Sequence, residues 1–389
     1  MRSIIRHIWL WMLVIGSGLM TVSCSSSDSD SDTEEPQATY LTIYVYSPER
    51  PILMRGDVGY VDPGTDEGTV HRLQIWVFEH QSGNLVGYHS TATTAALNTS
   101  QGDIYRIAVN DDFASQKPDV DVYVLANVTA DNCGLSFDQH TTRDQLDAAQ
   151  LDGSHFGLTS LTKTVPADGL PMSGILLNQD VVGDAPVLRI GSLSNIATVQ
   201  LTRVVSKMRF VFSNIKLTES PESYKKLSIT GITLDENTMR TAGYLFSRSS
   251  LDGLGIKNSE VSLILSSDAI VTEEVATNEN PTEYIYNDEE AQTYENKINT
   301  AVNAGKLTQV GPFYLHESDM QVKGKIAYKI DETEKTPIVF QMERAGDFLR
   351  NHTWIVYAYY LGGSFLELSS IYVKDWRTKD DLNYEIYNW

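Results

Sequence analysis

An all-β protein of two tandem antiparallel β-sandwiches is predicted by three observations on the sequence. From Thr39 onward, apolar and polar residues alternate with a period of two in run after run, the mark of half-buried strands. Twenty tyrosines sit in a chain with few long helical patterns, and aromatic side chains suit the pleated surface of a sheet. At 389 residues the chain is longer than one core of ordinary size serves. Two sheets packed face to face, with the arrangement repeated once, is the simplest architecture that meets all three.

Residues 1–23 read as a signal peptide and stand outside the fold. Arg2 and Arg6 form a positive end, and Ile8 to Met20 is an apolar run broken only by Gly16, Ser17 and Gly18. That run is too short for a permanent membrane span. It closes on Thr21-Val22-Ser23-Cys24, which resembles the lipobox of bacterial lipoproteins with Thr21 where leucine is usual. Cys24 is the expected lipid attachment site, because its thiolate is the nucleophile that accepts the diacylglycerol. Two or three acyl chains anchor durably where one does so only marginally. An ordinary signal peptide followed by an incidental cysteine is the alternative. Residues 24–38 are rich in Ser, Asp and Glu and cannot bury enough apolar area to order, so they read as a disordered acidic tether. An acidic run at this place resembles the surface-export signal of Bacteroidetes lipoproteins; a plain spacer is the other reading.

The remaining cysteine, Cys133, then lacks an intramolecular partner and is expected to be a buried small hydrophobe. Two cysteines rule out a disulfide scaffold and a cysteine-rich metal site. Acidic residues outnumber basic ones 51 to 30, a formal charge of −21, which excludes a phosphate-backbone partner.

In the body, Leu41, Ile43 and Val45 share one face of a first strand, and Leu73, Ile75 and Val77 one face of a second. Residues 79–84 form a turn and 85–88 the return, and 104–109 and 120–126 are further strands. A short helix is expected within 138–151, capped by Asp138 or Thr141. After a pause at 192–198, Val199 to Phe212 reads as one long strand. The expected domains are therefore residues 39–196 and 197–389. In the second, strands are expected near 227–234, 261–265, 323–330, 337–343, 353–361 and 366–373, with a surface helix within 288–304. No short internal repeat is present.

Catalytic chemistry finds little support. His71, His80 and His89 fall at strand ends and in a turn, so they do not converge on a metal. His-Glu-x-x-His, Cys-x-x-Cys, Gly-x-Ser-x-Gly and Walker-type motifs are absent from the sequence. No cofactor is implied, and the chain reads as no enzyme. Arg55-Gly56-Asp57 matches the integrin tripeptide but reads better as an exposed loop. Asn127-Val128-Thr129 is a sequon that more simply ends a strand. Trp354, Tyr357, Tyr359 and Tyr360 have the chemistry to stack on sugars, although aromatics in period-two runs usually pair within a sheet.

Several local patterns together resemble the Bacteroidales fimbrillin family of type V pilus subunits and their anchor and accessory proteins. They are Ile75-Trp76-Val77-Phe78, Tyr123-Val124-Leu125-Ala126-Asn127, Leu170-Pro171-Met172-Ser173-Gly174, Val199 to Phe212 with Arg203 and Lys207, Arg350-Asn351-His352, Val373-Lys374-Asp375-Trp376 and the aromatic end at Trp389. The resemblance spans about Thr39 to Trp389. It implies two transthyretin-like domains exported as a lipoprotein to the cell outer membrane and incorporated in a surface fimbrium that supports adhesion. It also implies that an arginine-specific protease cuts after the first strand, and that a strand from a neighbouring subunit fills the groove left behind.

Any sheet that loses a strand exposes unpaired backbone and an uncovered apolar face, which is a template for strand addition. The removable strand is expected at Thr39–Tyr46. Of the two arginines that follow, Arg50 precedes Pro51, which few proteases accept, so cleavage is expected at Arg55–Gly56. The donor-strand candidate is the tail Lys379–Trp389, where Leu382, Tyr384 and Ile386 share a face; the same tail also reads as the last strand of the second sandwich. Expected partners are other fimbrial subunits, the outer membrane through the lipid on Cys24, the protease, and a host or bacterial surface ligand. Two alternatives stay open: an uncleaved, lipid-anchored anchor subunit, and a surface glycan-binding lipoprotein that uses Trp354 or Trp376.

Overall fold

The alternation at the start of the body buries Leu41, Ile43 and Val45 completely. They belong to β1 (Thr39–Tyr46) of the computed structural model. It describes residues 38–46, 67–92, 103–156, 164–184, 186–192, 194, 196–217, 225–263, 268–276, 281–284, 291–362 and 366–375. Cys24, Arg50, Arg55, Gly56, Trp376, Leu382, Tyr384 and Ile386 all lie outside these residues.

β1 is followed by β2 (Arg72–Glu79), β3 (Leu85–Ala92), β4 (Asp103–Val109), α1 (Asp111–Gln116), β5 (Val120–Ala126), α2 (Ala130–Cys133) and α3 (Arg143–Ala148). Then come β6 (Gln150–Asp152), β7 (Met172–Gln179), β8 (Val181–Asp184), β9 (Val187–Ile190), β10 (Thr198–Gln200) and β11 (Thr202–Arg203). β1 lies between β4 on one side and β9 and β10 on the other, with β8 beyond β9. The facing sheet runs β3-β2-β5-β7-β11 and is antiparallel throughout. Between the two sheets, Leu41, Ile43 and Val45 meet Leu73, Ile75, Val77, Val122, Val124 and Leu188.

The second half contributes β12 (Ser206–Leu217), β13 (Leu227–Leu234), β14 (Ala242–Tyr244), β15 (Val261–Ser262), β16 (Ala269–Ile270), β17 (Glu273–Ala276) and α4 (Ala291–Asn303). It continues with β18 (Thr308–Leu315), β19 (Lys323–Ile330), β20 (Thr333–Glu334), β21 (Ile338–Gln341), β22 (His352–Tyr360) and β23 (Glu367–Asp375). One sheet orders β17-β12-β22-β23, with β18 also on β12. The other is built on β13 and β19, and is antiparallel throughout. Phe210, Phe313, Ile326, Phe340, Trp354 and Val356 pack between them. The fold is all-β, as the alternation predicts. The β1 and β12 sheets also carry parallel pairings, β1 with β9 and β10, and β12 with β17 and β22.

Three local readings change. The short helix is Arg143–Ala148, and its cap is Thr142 rather than Asp138 or Thr141. Thr142 and Gln145 cap each other reciprocally, while Thr141 spends its hydroxyl on the Asp138 amide. The surface helix is α4, and its inner face is buried: Tyr294, Ile298 and Ala301 cover Val211, Ile355 and Tyr357 on the outside of the β12 sheet. The run from Val199 to Phe212 is not one strand. Thr198–Gln200 pairs with β1, Thr202–Arg203 with β7, and Ser206 begins β12 in a different sheet.

The halves are joined by more than this connector. β6 pairs antiparallel with β14 in a two-stranded ribbon, and Trp76, Phe78, Tyr123 and Phe156 from one side share a core with Leu245, Phe246 and Tyr314 from the other. His316 is buried beside the ribbon; an added Cβ on Gly243 would come 2.9 Å from its Nδ1. Desolvation lowers its pKa to about 4, with the Arg350 charge adding to the effect. An unfolded histidine titrates near 6.5, so the folded protein takes up this proton later than the unfolded chain does. The neutral imidazole's contribution to stability is therefore full above about pH 6.5 and is lost as pH falls toward 4, on the order of 3 kcal/mol in total. His316→Phe is expected to flatten that part of the stability profile, measured by urea unfolding between pH 7 and 4.

Candidate functional site

β1 is a central strand, paired along both of its edges. Its register with β4 runs unbroken from Thr39 opposite Val109 to Val45 opposite Asp103. On the other edge, Tyr40, Leu41 and Thr42 face Val187, Leu188 and Arg189 of β9, and Tyr44, Val45 and Tyr46 face Thr198, Val199 and Gln200 of β10. Beyond the ladders, the Tyr40 amide donates to the Pro186 carbonyl at 2.8 Å, and the Leu201 amide donates to the Tyr46 carbonyl at 3.0 Å. The Thr42 hydroxyl donates to the Leu188 carbonyl at 2.9 Å.

Taking β1 out divides this sheet into β4 on one side and β8, β9 and β10 on the other. Neighbouring strands lie about 4.8 Å apart, so the gap is one strand wide. Three fully buried aliphatic side chains contribute roughly 1.5–3 kcal/mol each. Their sum alone rivals the whole stability of an ordinary domain, about 5–15 kcal/mol.

The motif around Gly174 serves the wall of this slot. Met172 enters the core, and the Ser173 hydroxyl donates to the Leu245 carbonyl at 2.6 Å. A Cβ on Gly174 would meet Val199 Cγ1 at 2.5 Å and the Gln200 carbonyl oxygen at 2.7 Å. Glycine at 174 thus lets the facing sheet approach the strand that borders β1.

Downstream, Glu67 holds the chain firmly. It is 4% exposed. Its carboxylate accepts from Lys207 Nζ at 2.8 and 3.1 Å and from the Tyr314 hydroxyl at 2.6 Å. Its carbonyl accepts from Arg203 Nε at 3.0 Å, and Arg203 Nη1 donates to Asn351 Oδ1 at 3.1 Å. Burial and the Glu67 carboxylate raise the Tyr314 hydroxyl above its ordinary range. Residues 47–66, which include Arg50 and Arg55–Gly56, thus stand in the sequence between β1 and this buried ionic knot.

The other candidates fall elsewhere. Among the described residues no three metal-ligating side chains converge. His80 bonds to Asp121 at 2.7 Å, and the His89 ring lies 5.4 Å from that of Tyr105. Asn127 is fully buried and follows β5; its Oδ1 accepts from the His71 amide at 2.8 Å and its Nδ2 donates to the Thr69 carbonyl at 2.7 Å. Cys133 is buried, and desolvation pushes its thiol up to about 12. Trp354, Tyr357 and Tyr360 are buried, and Tyr359 donates to Glu367, so these four offer no sugar-stacking platform. Sequence reasoning missed Glu67, whose partners lie 136 to 247 residues away along the chain.

Comparison with known proteins gives one family match: residues 54–186 fit the family model of the major fimbrial subunit protein (FimA). No curated protein matches the chain. Among solved structures, a putative cell adhesion protein from Parabacteroides distasonis is similar at 14% identity and a TM-score of 0.47, covering 88% of this chain and 97% of that one. A fimbrilin from Porphyromonas gingivalis gives 10% identity and a TM-score of 0.47, over 89% and 99%. The fimbrial anchor protein Mfa2 from the same species gives 10% and 0.38, over 87% and 98%. Over residues 54–186 the chain is therefore similar in sequence to FimA-type fimbrial subunits, in line with the resemblance to the Bacteroidales fimbrillins that its short motifs carry.

Proposed function

We propose that the protein is a structural subunit of a surface fimbrium, exported as a lipoprotein and assembled by proteolysis-triggered strand exchange. Residues 1–23 direct export, acyl chains on Cys24 hold the precursor at the outer membrane, and residues 24–38 tether the two sandwiches, 39–196 and 197–389. Cleavage at Arg55–Gly56 frees the segment that carries β1 and ends at Arg55. The tail of a neighbouring subunit, with Leu382, Tyr384 and Ile386 turned inward, takes its place.

The observation that carries this reading is the setting of β1. It is bonded on both edges and buries three aliphatic side chains, while the chain beyond residue 66 is pinned independently by Glu67. A cut between the two releases the strand and leaves the rest of the fold anchored. The freed slot is strongly unfavourable until refilled, which drives association.

Treatment of the purified chain with an arginine-specific protease is the test. The native chain is expected to form a ladder of oligomers on mild detergent gels and fibres in electron micrographs, and Arg55→Ala to remain monomeric. Equal assembly by both would reject the cut as the trigger.

A further inference from the structure

The outward face of the slot differs from its apolar floor. Thr42, at the centre of β1, lies directly between Arg106 of β4 and Arg189 of β9. Residues directly opposed across a ladder project from the same side of the sheet. Both arginines are exposed, each set between buried neighbours: Tyr105 and Ile107, Leu188 and Ile190. Toward the ends of the slot the same face is apolar, with Tyr40 opposite Ala108 and Val187, and Tyr44 opposite Ile104. In a chain of net charge −21, neither guanidinium has a hydrogen bond or ion pair among the described residues. Thr42 does not answer them, because its hydroxyl donates to the Leu188 carbonyl.

We infer that Arg106 and Arg189 select the incoming strand, favouring a side chain with an acceptor, above all a carboxylate, at the position that replaces Thr42. This rests on the strand-exchange reading above and adds to it what the slot recognises. With strands about 4.8 Å apart, both guanidiniums reach the middle position from either side, and charged hydrogen bonds to a carboxylate are the strong kind.

The proposed occupant is the tail of a second copy of this chain. If Leu382, Tyr384 and Ile386 point inward, the outward positions between and beside them are Asp381, Asn383, Glu385 and Tyr387, the first three carrying a carboxylate or amide acceptor. Sliding the tail by two residues along the direction of β1, or reversing it in place, brings another of these acceptors to the centre. Of the six registers that keep at least two of the inward residues at positions 41, 43 and 45, five therefore place Asp381, Asn383 or Glu385 between the arginines, and the sixth places Tyr387 there.

The test pairs the full chain, cut with the arginine-specific protease, with a labelled synthetic peptide of the 379–389 sequence, and measures the association rate. A second peptide carries Asp381→Lys, Asn383→Lys and Glu385→Lys, and a second protein carries Arg106→Glu and Arg189→Glu. Because neither arginine has a partner among the described residues, the uncut variant is expected to keep the thermal midpoint of the uncut native chain, which serves as the control for folding.

Reversing charge on one side only is expected to slow association about tenfold, reversing both to restore it, and the differences to shrink at about 1 M salt. Equal rates for all four pairs would overturn the selection while leaving strand uptake intact. Binding by none of the four would overturn strand uptake by this tail, and the selection with it.

Discussion

Ile43→Ala is expected to lower the stability of the uncut chain by about 2–5 kcal/mol, yet leave the stability of assembled fibres unchanged. Ile43 is fully buried in the core between the first two sheets, and truncating such a side chain loses its transfer energy and leaves a cavity. In strand exchange, however, that residue leaves with the released segment before the final structure forms. The tail behaves in the opposite way. Ile386→Asp is expected to leave the uncut chain's midpoint near its native value and to abolish fibres, because a carboxylate driven into the slot's apolar floor would be desolvated without a partner. Urea unfolding of the uncut variants, alongside heat resistance of the protease-treated material, checks both arms. A fibre weakened by Ile43→Ala would mean that β1 is still present in it.

The second large effect concerns the ionic knot. Lys207→Met is expected to cost about 3–5 kcal/mol, because it leaves the Glu67 carboxylate buried without its cation. Lys207 and Glu67 are both buried and lie 2.8 Å apart. For a fold of this size that corresponds to a fall in midpoint of about 5 °C. Glu67→Gln in the same chain removes the orphaned charge and is expected to recover part of the loss. Its amide still accepts from the Tyr314 hydroxyl, which Glu67 meets at 2.6 Å. Calorimetry of the two single variants and the double variant gives the coupling directly.

The strands of the first half were legible because their alternation matches what the fold buries. Leu41, Ile43 and Val45, and Leu73, Ile75 and Val77, are all fully buried. The same rule fails from Val199 to Phe212. There the apolar period continues while the chain changes sheets, with no glycine or proline between Thr198 and Leu217 to mark the change. Thr308–Leu315 was hidden for the converse reason: Gly311 and Pro312 interrupt a run that nonetheless buries Val310, Phe313 and Leu315. The ribbon of β6 and β14 has three residues on each side, too few for any periodicity to register.

Of the candidate site, the strand Thr39–Tyr46 was visible in sequence and the arginine pair beside it was not. Arg106 and Arg189 are 83 positions apart and meet only through the register of β4 and β9 with β1. Glu67 is one of 51 acidic residues, and nothing local distinguishes it. Its role emerges only when the second half brings Lys207 and Tyr314 to it.

The most direct measurement is mass spectrometry of the N-terminus of chains extracted from purified surface fibres. Strand exchange predicts chains that begin at Gly56, with no peptide from Thr39–Tyr46 and no acylated Cys24. Assembled chains that retain β1, or that begin at another residue, would contradict it.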